Sequence, residues 1–71
     1  MDNLRETLYK KCYTHDDIRI VDKLVNTLES GDVTRENYWQ IICKLTRNTH
    51  SDKLLGRWKC LAECAESHLF N

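Results

Sequence analysis

The sequence predicts an all-α fold, a small bundle of about four short helices, on three observations. Apolar residues recur three and four apart from one end of the chain to the other, the period of a helix with one buried face. There is no proline and there are only two glycines, Gly31 and Gly56, whereas a strand-rich fold of this length needs many turn residues. Hydrophobic residues make up 41% of the composition and charged residues 31%, which gives helices one dry face and one wet face.

The elements follow in order. Leu4, Leu8 and Cys12 form a first stripe, predicting a helix over residues 3–12. Ile18, Val21, Val25 and Leu28 form a second, widened by Ile20 and Leu24, over residues 15–29. Thr14 caps that helix, Asp17 three residues on completes a capping-box pattern, and Asp16 and Asp17 complement the helix dipole. The run Glu29-Ser30-Gly31-Asp32 is the clearest break, with Gly31 suited to the left-handed position that ends a helix. Asp32 or Thr34 caps a third helix over residues 34–46, carrying Tyr38, Ile41, Ile42 and Leu45 with Trp39 and Cys43 beside them. Residues 46–51 are weak helix formers with side chains that compete for backbone hydrogen bonds, and they read as a loop. Ser51 caps the last helix, residues 52–69, with Leu54, Leu55, Trp58, Leu61, Ala62, Ala65 and Leu69 on its apolar side. Gly56 inside it suggests a close helix approach. If residues 46–51 were helical instead, the alternative is a long helical hairpin that dimerises.

The 71 residues form one domain, residues 1–71. Folding buries only about 60% of the surface of so short a chain, which leaves a marginal core that a metal, a disulfide or a partner can reinforce. No apolar run approaches the roughly 18 residues that cross a bilayer, and the N-terminus has no signal-peptide core. The expectation is a cytoplasmic protein that does not enter membranes. Its cysteines, Cys12, Cys43, Cys60 and Cys64, are then reduced thiols.

Three constellations bear on function. The first is a zinc set, Cys12, His15, Cys60 and Cys64, of the Cys3His type. Its spacings match no standard finger, and buried thiols are common core residues, so no metal and no cofactor are expected and Cys43 with Cys60 or Cys64 is placed in the core. The second is a basic window, Lys44, Arg47, Lys53, Arg57 and Lys59, opposed only by Asp52, in a chain whose total charge is zero. It can meet phosphates or an acidic protein surface. Lys53 and Arg57 share a helix face, and replacing these two exposed cations is expected to leave folding almost untouched. The third is a set of aromatics, Tyr13, Trp39 and Trp58. Tyr9, Tyr13 and Trp39 sit to the side of the main stripes, where such residue types anchor interfaces, whereas tryptophans at helical spacing, Trp39 and Trp58, are more often core than contact. Phosphate loops, nucleophile elbows and paired-carboxylate motifs do not occur in the sequence, so no enzymatic activity is expected.

Two segments resemble known families. Residues 20–41, IVDKLVNTLESGDVTRENYWQI, look like the helix-turn-helix stretch of caspase-recruitment and related death-fold domains, although the chain is too short for their six helices. Residues 8–21, LYKKCYTHDDIRIV, are similar to the first part of small enterobacterial Hha-type regulators, whose pattern the remainder does not follow. Each likeness covers under a third of the chain, and both families are interaction modules. The expected function is a small non-enzymatic regulatory or adaptor protein that binds a protein partner. The brevity, the thiols and the start at Met1 fit a viral or phage accessory protein or a small bacterial regulator. Nucleic-acid binding by a helical homodimer through residues 44–59 is one alternative, and a small zinc-stabilised domain is another.

Overall fold

Four helices in the order α1 (Asp2–Tyr9), α2 (His15–Ser30), α3 (Tyr38–Leu45) and α4 (Asp52–Phe70) build the molecule. The computed structural model describes the backbone of residues 2–70 and the side chains of residues 4–70. Met1 and Asn71, the ends of the expected domain, lie outside the described residues. The chain is 73% helical with no strand among the described residues.

Helices α1, α2 and α4 pack pairwise against one another, and the core lies between them. Leu4 and Leu8 come from α1, Ile20, Val21, Leu24, Val25 and Leu28 from α2, and Trp58, Leu61, Ala62 and Ala65 from α4. Each large apolar side chain buried there contributes about 1.5–3 kcal/mol. Helix α3 adds Tyr38 and Ile42. Tyr38 is fully buried, and its hydroxyl donates to the Ala62 carbonyl at 2.6 Å. Its ring meets Trp39 and Phe70 edge to face, with centroids 5.3 and 5.7 Å away.

The boundaries depart from expectation where other local hydrogen bonds displace the α-helical ones. Helix α1 stops at Tyr9 rather than residue 12 because its end tightens. Lys11 and Cys12 donate from their amides to the carbonyls three residues back, Leu8 and Tyr9, as in a 3₁₀ turn. Helix α3 begins at Tyr38 rather than residue 34. The Thr34 amide donates to Asn37 Oδ1 at 2.7 Å and the Asn37 amide returns the bond to Thr34 Oγ1 at 3.2 Å, which closes a turn in place of a helical one.

Gly31 does not take the left-handed conformation. Its φ of −131° and ψ of 167° are extended, so the chain leaves α2 straight and nothing there requires glycine. Gly56 serves no close approach either, since a Cβ at that position would meet nothing within 4 Å. The break before α4 holds. Thr46 Oγ1 donates to the Ile42 carbonyl at 3.0 Å, and Ser51 Oγ accepts from the Leu54 amide. These contacts end α3 and start α4, so the continuous helical hairpin does not form.

Two clusters fasten α1 to its neighbours. In the first, Arg5 on α1 pairs with Asp22 on α2 at 2.7 Å and also donates to Tyr9 Oη and Asn26 Oδ1. The second, built around Asp17, belongs to the site below.

Candidate functional site

On α2, positions 17, 20, 21, 24, 25 and 28 follow a single helical stripe, and five of them are apolar core residues. The sixth is Asp17, a carboxylate only 1% exposed. A charge on a core stripe demands partners, and the Asp17 carboxylate has two, while its backbone amide is bonded as well. Its amide donates to Thr14 Oγ1 at 3.3 Å, which is the predicted N-cap. Its Oδ2 accepts from the Tyr13 amide at 2.8 Å, one residue earlier than a standard capping box reaches. Its Oδ1 accepts from Arg57 Nε on α4 at 3.0 Å. Burial by itself pushes the Asp17 carboxyl up, but the Tyr13 amide and Arg57 outweigh it and hold the group below the usual carboxylate value.

Arg57 extends this cluster. A second guanidinium nitrogen donates to the Lys11 carbonyl at 2.9 Å, satisfying a backbone group left over at the end of α1. The guanidinium carbon lies 5.1 Å from the centre of the Tyr13 ring, within cation–π range. Arg57 thus ties the loop between α1 and α2 to α4 and offers Tyr13 a platform. Tyr13 itself is 84% exposed. A large aromatic side chain is here held against a fixed partner while most of its surface meets solvent.

Beside Tyr13 the facing flanks of α2 and α4 part. Two shallow depressions of about 200 and 240 Å³ open there and share Asp16 and Leu54 in their walls, so they form one furrow. Tyr13, Lys53 and Arg57 line its first part, and Arg19, Ile20, Lys23, Leu45 and Trp58 its second. The partly buried Leu45, the last residue of α3, packs against the core.

The structure therefore gathers Tyr13, Lys53, Arg57 and Trp58 from the predicted site and leaves the others apart. Trp58 is 5% exposed; it is a core residue that shows an edge to the furrow, not a surface anchor. Trp39 lies elsewhere, its indole Nε1 donating to Glu66 on α4 at 2.7 Å. Lys44, Arg47 and Lys59 are exposed and line neither part of the furrow. Arg57 is not the free surface cation expected: its side chain is 26% exposed and paired with a buried carboxylate. By local pattern Asp17 is the capping-box partner of Thr14 and a charge that complements the helix dipole, and its place on the apolar stripe is the signal of a buried partner.

The thiols also depart from expectation. Cys43 and Cys60 are exposed, and Cys12 and Cys64 half-buried, all four free. Cys12 Sγ donates to the Leu8 carbonyl at 3.4 Å, and burial, then the nearby Asp17 charge, raises its pKa. Among the described residues no three or more His, Cys, Asp or Glu side chains converge as metal ligands, so Cys12, His15, Cys60 and Cys64 do not form the zinc set. No helix of the described residues is long and apolar enough to cross a membrane.

No family model, no curated protein and no solved structure matches the chain, so the likenesses at residues 8–21 and 20–41 remain those of short segments.

Proposed function

We propose that this bundle is a small non-enzymatic regulatory or adaptor protein that binds a protein partner through the Tyr13 end of the α2–α4 furrow. The observation that carries this reading is Tyr13, nearly all exposed yet stacked on Arg57. An aromatic ring already held in place loses little conformational freedom when a partner covers it, and such rings dominate interface energetics. The four free thiols favour a reducing compartment, the cytoplasm, as the setting. The basic segment supports nucleic-acid binding less well, because Arg57 is committed to Asp17 and the remaining cations are not collected on one groove.

The test places a photo-reactive phenylalanine analogue at Tyr13, identifies the protein it traps, and measures the purified protein's affinity for the native chain. Tyr13→Ala should then cost about 2 kcal/mol or more, close to thirtyfold in Kd. An unchanged affinity would remove Tyr13 from the interface. A gel shift with short DNA and RNA at ~150 mM salt is the counter-test. Micromolar binding there, weakened by alanines at Lys44, Arg47, Lys53 and Lys59, would favour nucleic acid instead.

A further inference from the structure

We infer that the furrow between α2 and α4 receives an amphipathic segment of the partner whose polar face is acidic, an inference that rests on the protein-binding role proposed above. The walls supply both halves of the argument. Ile20, Leu45 and Leu54 give the furrow an apolar lining, closed at its base by the edge of Trp58. The two depressions are adjacent, open and small, which suits two neighbouring side chains better than one enclosed ligand. A helix offers such a pair at positions i and i+4, about 5–6 Å apart.

Charge selects the partner's polar face. Arg19, Lys23 and Lys53 line the furrow and are exposed, and none is in an ion pair among the described residues. Asp16 is their one unpaired opponent there, because Asp17 is already matched by Arg57. The rim is therefore cationic in a chain whose formal charge is zero. Acidic side chains flanking an apolar pair would find complementary charges on arrival, and a basic segment would meet like charges.

The probes are two synthetic peptides of about 14 residues, long enough for an amphipathic helical face. They share leucine and phenylalanine at i, i+3, i+4 and i+7, and they carry either glutamate or lysine on the remaining face. Each is titrated into the isotopically labelled full chain, followed by amide and indole resonances. The acidic peptide should shift Ile20, Leu45, Leu54 and the Trp58 indole in a saturable way, and the basic peptide should bind at least tenfold more weakly. Combining Arg19→Glu, Lys23→Glu and Lys53→Glu should reverse that order. If the triple variant does not fold by circular dichroism, Lys53→Glu alone should weaken the acidic peptide about threefold. Equal binding of both peptides, or shifts on another surface, would overturn this inference while leaving trapping at Tyr13 to decide the binding role independently. A short DNA duplex that moves the same resonances at ~150 mM salt would overturn both.

Discussion

Replacing Asp17 with asparagine keeps the outline of the side chain and removes its charge, which isolates what the buried ion pair contributes. In the native chain the carboxylate accepts from the Tyr13 amide and from Arg57 Nε. Asparagine offers one acceptor oxygen and a donor NH₂, so one of those two partners must face a donor. Removing one member of a buried pair costs about 3–5 kcal/mol. Arg57 is a quarter exposed, so water recovers part of its solvation, and a loss of about 2–3 kcal/mol is expected. Against a total of about 4–10 kcal/mol for a chain of this length, that is a severe defect. Urea unfolding reads it directly, as a midpoint lowered by roughly 2–3 M for a slope near 1 kcal/mol/M. A cycle with Arg57→Met should show coupling of about 1.5 kcal/mol or more. A loss under about 0.5 kcal/mol, or additive substitutions, would refute the assignment of Asp17 as the keystone of this corner. The pH dependence gives a second reading. Because the Asp17 carboxyl is depressed below its ordinary value of 3.8, its stabilisation is complete above that value and is lost as pH falls through the lower folded value. The acid limb of the stability curve should therefore be shallower in Asp17→Asn than in the native chain.

Gly56→Ala should stabilise the protein by about 0.5–1 kcal/mol, since the added methyl meets nothing within 4 Å; thermal unfolding should move up by roughly 3–8 °C, and a lower Tm would refute the open environment. Tyr38→Phe should cost about 1 kcal/mol through loss of the hydroxyl bond to Ala62, and with burial pushing the Tyr38 phenol up, alkaline difference spectra should show one tyrosine that ionises only on unfolding. A thiol reagent should label Cys43 and Cys60 rapidly and Cys12 and Cys64 slowly, by their exposure; four equal rates would contradict the packing. A chelator should leave Tm unchanged, and a sharp fall would restore the Cys12–His15–Cys60–Cys64 set.

Helix number and order were legible because periodicity is a local signal. Thr14 and Ser51 could be read as caps for the same reason, since a cap bonds to amides two or three residues away. What escaped depends on partners distant in sequence or on which face turns inward. Ile18 and Ile20 are both apolar, yet Ile18 is 40% exposed and Ile20 buried, because the stripe through Val21, Leu24, Val25 and Leu28 admits only one of them. Cys43 and Cys60 look like core residues from composition alone, but they flank the buried stripes of α3 and α4 and lie on the surface. Gly31 suits a left-handed cap by residue type, but a helix can also end in an extended residue, which any side chain permits. Of the site, Tyr13, Lys53, Arg57 and Trp58 are legible individually, but the pairing of Arg57 with Asp17 joins residues 40 positions apart. No local pattern reports that distance.

That pairing changes how the basic segment must be probed. Read from the sequence, Lys53 and Arg57 are equivalent cations one helical turn apart, and an alanine double substitution would test charge recognition alone. In the structure Lys53 is exposed and unpaired among the described residues, whereas Arg57 neutralises Asp17, bonds the Lys11 carbonyl and stacks on Tyr13. Losing Arg57 would release the loop that presents Tyr13, so weaker binding would follow whether the partner reads charge, the aromatic ring, or neither. The two roles separate by chemistry. Arg57→Lys keeps the charge but has no planar fork to hold Asp17 and Lys11 together, so it should lower stability. Lys53→Ala should leave stability nearly unchanged while slowing association with an acidic partner and steepening nothing in its dissociation, since rim charges act mainly on the on-rate. If Arg57→Lys left both stability and Tyr13-dependent binding intact, the link drawn here from buried pair to ordered loop to exposed anchor would fail at its first step.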